Sequence, residues 1–178
     1  LNVADELKIL KAIQEAAAHT SATLVPTCLA AHTRPKDFSG SHKDYLTMIV
    51  EQLLPQVLQQ KLSRRVDIFI EEIGFLPMES RAFLEQCKAL GFEIAVHADQ
   101  FTTGGSEIAV ALQAASADHL EASGEREMAL IAASNTVAVV LPGATMGLGM
   151  PFAPARKLLN AGACLAISTD WNPGTAPM

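Results

Sequence analysis

Phe92-Glu93-Ile94-Ala95-Val96-His97-Ala98-Asp99-Gln100 is a short apolar run that ends on chemistry. Its apolar residues follow a helical stretch and Gly91, the pattern of a buried parallel strand. At its end stand an imidazole, a carboxylate and an amide. Cys164-Leu165-Ala166-Ile167-Ser168-Thr169-Asp170-Trp171-Asn172-Pro173-Gly174 repeats the arrangement, with Asp170 at the tip. In a parallel α/β fold the carboxyl ends of the strands face the ligand. His97 and Asp170 delivered to one rim are the donor types of a hydrolytic Zn²⁺-type site.

The same unit of helix, polar link, apolar strand and polar tip recurs outward from these two stretches. Helices are predicted over residues 6–19, 78–90, 105–114, 125–133 and 153–160, with Gly91 and Gly162 as stops. Another runs from a Ser41 cap to about residue 62, its apolar positions following a 3.6-residue period, with Pro55 as a kink. Strands are predicted over residues 22–31, 66–71, 92–96, near 119–120, over 137–141 and over 165–168. A closed eight-unit barrel of about 250 residues allots roughly 31 residues per unit, and six strands in 178 residues fit that allotment. A doubly wound sheet gathers its ligand residues at one switch point. Here His32, Glu71, Glu72, His97, His119 and Asp170 lie at the ends of separate strands, which favours an incomplete barrel. Two further strands are expected from sequence outside this chain.

The bulk composition excludes several classes. Apolar residues make up 49% of the chain and the mean hydropathy is +0.24, enough for a well-buried core. The formal charge is −6 and there is no block of Lys and Arg, so nucleic acid is not an expected partner. No apolar stretch is long enough for a membrane. Cys28, Cys87 and Cys164 lack CxxC spacing, which fits a reducing, cytoplasmic setting. The chain opens at Leu1 inside a helical pattern and stops just after a turn, so a piece of a longer polypeptide is expected.

Each candidate has a plainer reading. His97 alone is a core histidine, and Asp170 alone is turn chemistry before Asn-Pro-Gly. Catalytic zinc takes three protein ligands and keeps one position open, and the chain has neither HxH nor HExxH. The remaining ligands are expected upstream of Leu1. His119, one unit after His97, is placed to polarise a carbonyl or move a proton; the alternative is that Asp118 or His119 caps the next helix. Gln100 suits a neutral ring nitrogen or ring carbonyl. Thr102-Thr103-Gly104-Gly105 is either an anion site at a helix start or a plain loop. Asn172, Gly174 and Thr175 hold a polar substrate arm or only shape their turn. Residues 141–150 are Gly-rich but lack the lysine of a phosphate loop. His19 and His42 receive no role.

Taken as an ordered set, Ala31-His32, Asp67-Ile68-Phe69-Ile70-Glu71-Glu72, His97-Ala98-Asp99-Gln100, Gly104-Gly105, Ser116-Ala117-Asp118-His119-Leu120-Glu121, Leu141-Pro142-Gly143-Ala144 and Thr169-Asp170-Trp171-Asn172-Pro173-Gly174-Thr175 resemble the imidazolonepropionase family of metal-dependent amidohydrolases. The resemblance implies a (β/α)₈ barrel, present here from about strand 3 to strand 8. It further implies a small β domain, outside this chain, and one Zn²⁺ or Fe ion. His97 and Asp170 would be metal ligands, with an HxH pair on a strand outside this chain. His32 and Gln100 would contact the imidazolone ring or its propionate, and His119 would assist beside the reactive water. Asn172 and Gly174 would hold the product, and Thr175 the substrate. The implied reaction opens the cyclic amide of 4-imidazolone-5-propanoate to N-formimidoyl-L-glutamate, with Asp170 shuttling the proton. The implied partner is a small molecule, and a homodimer stays open. Two rivals remain: a deaminase acting on a nucleobase-like ring, and an inactive fragment.

Overall fold

Asn2 starts the first helix, because its side-chain oxygen accepts from the Asp5 N–H at 2.9 Å, so α1 spans Val3–Ala17. The computed structural model describes residues 2–176. The chain divides after Ile94 into two compact units.

In the first unit α1 leads to β1 (Thr27–Ala31), α2 (His42–Met48), a π-helical turn (Ile49–Leu53), α3 (Leu54–Gln59), β2 (Arg65–Phe69) and α4 (Pro77–Ala89). β1 and β2 pair in parallel, with a register shift between Cys28 and Ala31. Leu10, Tyr45, Ile49, Leu53, Leu54, Ile68, Phe75, Phe83 and Leu84 are fully buried. Burying each such side chain contributes about 1.5–3 kcal/mol. Ser41 and Asp44 form the expected capping box at α2. The kink expected at Pro55 takes the form of the π turn. The Leu54 N–H reaches back five residues to the Ile49 carbonyl. This widened turn makes room for a proline ring that would otherwise meet the carbonyl four residues earlier. Strand β1 is shorter than expected, because residues 20–26 form no regular element. Gly91 ends α4 as predicted. At φ +88°, it places its own N–H on the Lys88 carbonyl and that of Phe92 on the Cys87 carbonyl.

β3 (Glu93–Ala98) carries the chain into the second unit. There follow α5 (Gly105–Ala111), β4 (Ser116–His119), α6 (Glu125–Ala132), β5 (Val137–Val140), α7 (Pro142–Leu148), α8 (Ala155–Asn160) and β6 (Leu165–Ile167). β3, β4, β5 and β6 pair in that order, all parallel. Small residues line the strands: Ala98, Ala117 and Ala138 are fully buried. Gly105 follows from that close packing, since a Cβ there would come within 2.8 Å of the Ala98 Cα. Helix α7 lies in the Gly-rich stretch 141–150, whose glycines give no helical signal. Pro142 occupies its first turn, where a missing N–H costs nothing. Among the described residues no helix is long and apolar enough to cross a membrane.

Candidate active site

His97 lies inside β3, one residue before its end, rather than just beyond the strand. In the parallel register it stands beside Asp118, and Ala98 stands beside His119. Strict alternation along β4 would send His119 to the face opposite His97. The strand ends there instead, with φ +86° at His119 and +71° at Leu120, backbone values that non-glycine residues seldom adopt. The His97 and His119 rings come to 5.3 Å between centroids, tilted by 44°. Neither Asp118 nor His119 caps α6, because Gly124 precedes that helix and donates its N–H to Glu127 at 2.9 Å.

Asp99, also at positive φ, is fully buried. One carboxylate oxygen accepts the Gly104 and Ser106 N–H groups at 3.1 Å each, and the other accepts the Ser106 hydroxyl at 2.5 Å and the Ser123 hydroxyl at 2.8 Å. Its backbone carbonyl accepts the Ala122 N–H at 2.8 Å. The anion at the start of α5 is thus the protein's own carboxylate, and the Thr102–Gly105 stretch is a loop wrapped around it. This knot ties the β3–α5 loop, which carries the buried Gln100, to the β4–α6 loop.

Glu121 and Thr145 complete the surroundings of His119. The Thr145 hydroxyl donates to Glu121 Oε1 at 2.6 Å, and Glu121 Oε2 lies 3.6 Å from His119 Nδ1. Both side chains of the His119–Glu121 pair are 3% exposed. Burial pushes the Glu121 carboxyl upward. His119, the Thr145 hydroxyl and a backbone N–H outweigh it, so the net shift is below the usual 4.5. Glu121 appeared in the sequence only as part of a motif. Thr145 gave no signal, because its role depends on helix α7.

Asp170 follows β6 at φ +50° and leaves the same carboxyl end of this four-stranded sheet as His97. Its carboxylate lies 3.5 Å from the Thr175 hydroxyl. Asn172 is spent on its own turn. Its amide oxygen accepts from Gly174 and Thr175 N–H groups at 2.9 Å each, and its nitrogen donates to the Asp170 carbonyl at 2.7 Å and the Thr175 hydroxyl at 2.8 Å. Gly147 of α7 packs directly against the Thr175 carbonyl, where no Cβ fits. Beside this turn opens a cleft of about 790 Å³ lined by Pro142, Met146, Ile167, Trp171 and Thr175 among others. None of its described lining residues is ionisable.

In the first unit, the His32 ring stacks on Phe69 at 5.0 Å and 14°. A His32 ring nitrogen and an oxygen of the buried Asp67 lie within 4.8 Å of each other. Asp67 lies in mid-strand, where a carboxylate reads as outward-facing until its burial is known.

The whole chain aligns with curated imidazolonepropionases. It is 44% identical to that of Bdellovibrio bacteriovorus, over 99% of this chain and 41% of the relative. It is 42% identical to that of Deinococcus deserti, over 100% of this chain and 43% of the relative. For Myxococcus xanthus the identity is 40%, over 99% and 42%. The chain belongs to the imidazolonepropionase family. It spans about two fifths of the length of these relatives. No general family model matches it. Among solved structures it is similar to a guanine deaminase from C. acetobutylicum with bound guanine. That likeness has a TM-score of 0.74 at 12% identity and covers 99% of this chain and 46% of the other. It is also similar to an adenosine deaminase from Xanthomonas campestris with bound zinc. Here the TM-score is 0.64 at 18% identity, over 85% of this chain and 38% of the other. These likenesses show the fold alone, the parallel β/α units of a barrel of which the chain covers a part.

Proposed function

We propose that the protein carrying this chain hydrolyses the cyclic amide of 4-imidazolone-5-propanoate to N-formimidoyl-L-glutamate, using one divalent cation, zinc or iron. The identity to imidazolonepropionases along the whole chain supports this substrate. The geometry that carries the reading is the His97–His119 pair, 5.3 Å apart at the sheet end from which Asp170 also leaves. The free thiols of Cys28, Cys87 and Cys164 support a reducing compartment such as the cytoplasm.

The donor chemistry fits such a cation. An imidazole from His97 and a carboxylate from Asp170 are donor types that zinc and iron accept, and only the 3.5 Å contact with Thr175 engages the Asp170 carboxylate among the described residues. When bound, the cation supplies a nucleophile at neutral pH by lowering the pKa of water to about 7. Asp170 takes the proton of the attacking water and passes it to the departing ring nitrogen. His119 faces the carbonyl oxygen and steadies its developing charge. Water oxygen joins the carbonyl carbon, the ring C–N bond breaks, and the nitrogen leaves with one proton. Gln100 holds the ring or propionate, Thr175 the substrate, and Asn172 and Gly174 the product, the last two through the turn that they shape.

A deaminase acting on a nucleobase-like ring is the second reading, favoured by the 0.74 TM-score to a guanine deaminase. Incubating the metal-loaded full-length protein with 4-imidazolone-5-propanoate and with guanine distinguishes them. Ring opening without ammonia supports the hydrolase, and ammonia release from guanine alone overturns it.

A further inference from the structure

We infer that Glu121, anchored by Thr145, is a positioning residue that fixes the orientation and tautomer of His119. The inference rests on the proposed function only where kinetics is the readout. His119 Nδ1 and Glu121 Oε2 are both buried, and neither has a hydrogen-bond partner among the described residues. They face each other at 3.6 Å. A shift of a fraction of an ångström turns this approach into a hydrogen bond to a charged acceptor, which is shorter and stronger than a neutral one. Burial favours that closure, because a lone buried polar atom is costly.

Thr145 makes the arrangement directional. Its hydroxyl is 2.6 Å from Glu121 Oε1 and 3.1 Å from the Leu141 carbonyl. It has one proton to donate, and the shorter contact goes to the carboxylate. Glu121 Oε1 is therefore occupied, and Oε2 is the oxygen left for the ring. An acceptor at Nδ1 keeps a proton there in the neutral ring and in the imidazolium alike, so Nε2 is the nitrogen left to face the reaction, and the proton it donates to the carbonyl oxygen is a second one. The backbone is bent to allow this, with positive φ at both His119 and Leu120. Such local strain persists where surrounding contacts hold it, and it clusters at working sites. Helix α7 thereby reaches His119 through the Thr145 hydroxyl and Glu121.

Ring ¹⁵N spectra of the metal-loaded full-length protein test the inference, with the His119 signal assigned by its loss in His119→Asn. The wild type is expected to show the Nδ1–H tautomer at His119. Glu121→Gln is expected to weaken that preference and to lower kcat by ~10–100-fold with KM little changed, the size typical of residues that orient a ligand or base. Thr145→Ser keeps the hydroxyl and should resemble the wild type, whereas Thr145→Val should shift toward Glu121→Gln in both readouts. A wild-type Nε2–H tautomer, or a Glu121→Gln spectrum and kcat equal to wild type, overturns the inference. If Glu121→Gln fails to fold, the Thr145 pair decides: a difference between Ser and Val supports the inference, and identical behaviour overturns it. Loss of the proposed substrate activity in the wild type itself would count against the proposed function and leave the spectroscopic result intact.

Discussion

The imidazoles of His97 and His119 lie 5.3 Å apart although they come from neighbouring strands whose register assigns them to different rows. The positive φ at His119 breaks the alternation of β4 at its last residue and brings the second ring to the first. In the proposed reaction this sets His119, the partner of the carbonyl oxygen, beside His97, a proposed ligand of the cation. His119→Ala should lower turnover of the full-length protein by ~10²–10⁴-fold, the usual contribution of a positioned proton donor. Metal content measured on the same sample should be unchanged, since His119 is assigned no ligand role.

Asp99 is fully buried and accepts four hydrogen bonds through its carboxylate. Replacing it with Ala removes one acceptor for four buried or half-buried donors. The expected loss is about 3 kcal/mol or more of unfolding free energy, read from the midpoint of urea denaturation. A change below about 1 kcal/mol would show that water replaces the carboxylate without cost.

The thiols differ sharply in access. Cys28 and Cys87 are buried and Cys164 is exposed. A thiol reagent at neutral pH should label one cysteine per chain in the native state and three in denaturant. Burial raises the Cys87 thiol from 9.0 to about 12 and pushes Cys28 upward as well. A folded pKa above the unfolded one means that this stabilising contribution is complete below pH 9. It is lost as pH climbs from 9 toward 12, because the unfolded thiol ionises first. Stability measured between those limits should fall with pH, and Cys87→Ala should fall less steeply.

Gly147 permits α7 to touch the Thr175 carbonyl. Gly147→Ala should push the turn at residues 172–175 outward and disturb the Thr175 hydroxyl beside Asp170. The expected outcome is a raised KM with modest loss of stability, roughly 1–3 kcal/mol as for other overpacked sites. Unchanged KM would show that the turn does not contribute to substrate binding.

The strand-and-helix alternation was legible because each unit repeats the same signals: apolar runs of strand length, a Ser41 cap, and glycines after α4 and α8. His97 and Asp170 were visible because each closes such a run. What stayed hidden depends on geometry that a linear pattern does not carry. Asp99 reads as a loop carboxylate until Gly104, Ser106 and Ser123 are seen to converge on it. Thr145 sits in a stretch whose glycines argue against a helix, yet Pro142 starts one. The approach of the His119 ring to His97 follows from positive φ, which no side-chain pattern announces outside glycine. The π turn before Pro55 is similar: proline signalled a disturbance, but not how the chain would relieve it.

Asp170→Asn in the full-length protein, assayed for opening of 4-imidazolone-5-propanoate with bound metal quantified in parallel, is the most direct measurement. The substitution keeps the shape of the side chain and removes its basicity. The expected result is loss of most turnover, ~10²-fold or more, together with weakened metal retention. Turnover close to that of the wild type would contradict the proposed hydrolysis at its proton-transfer step.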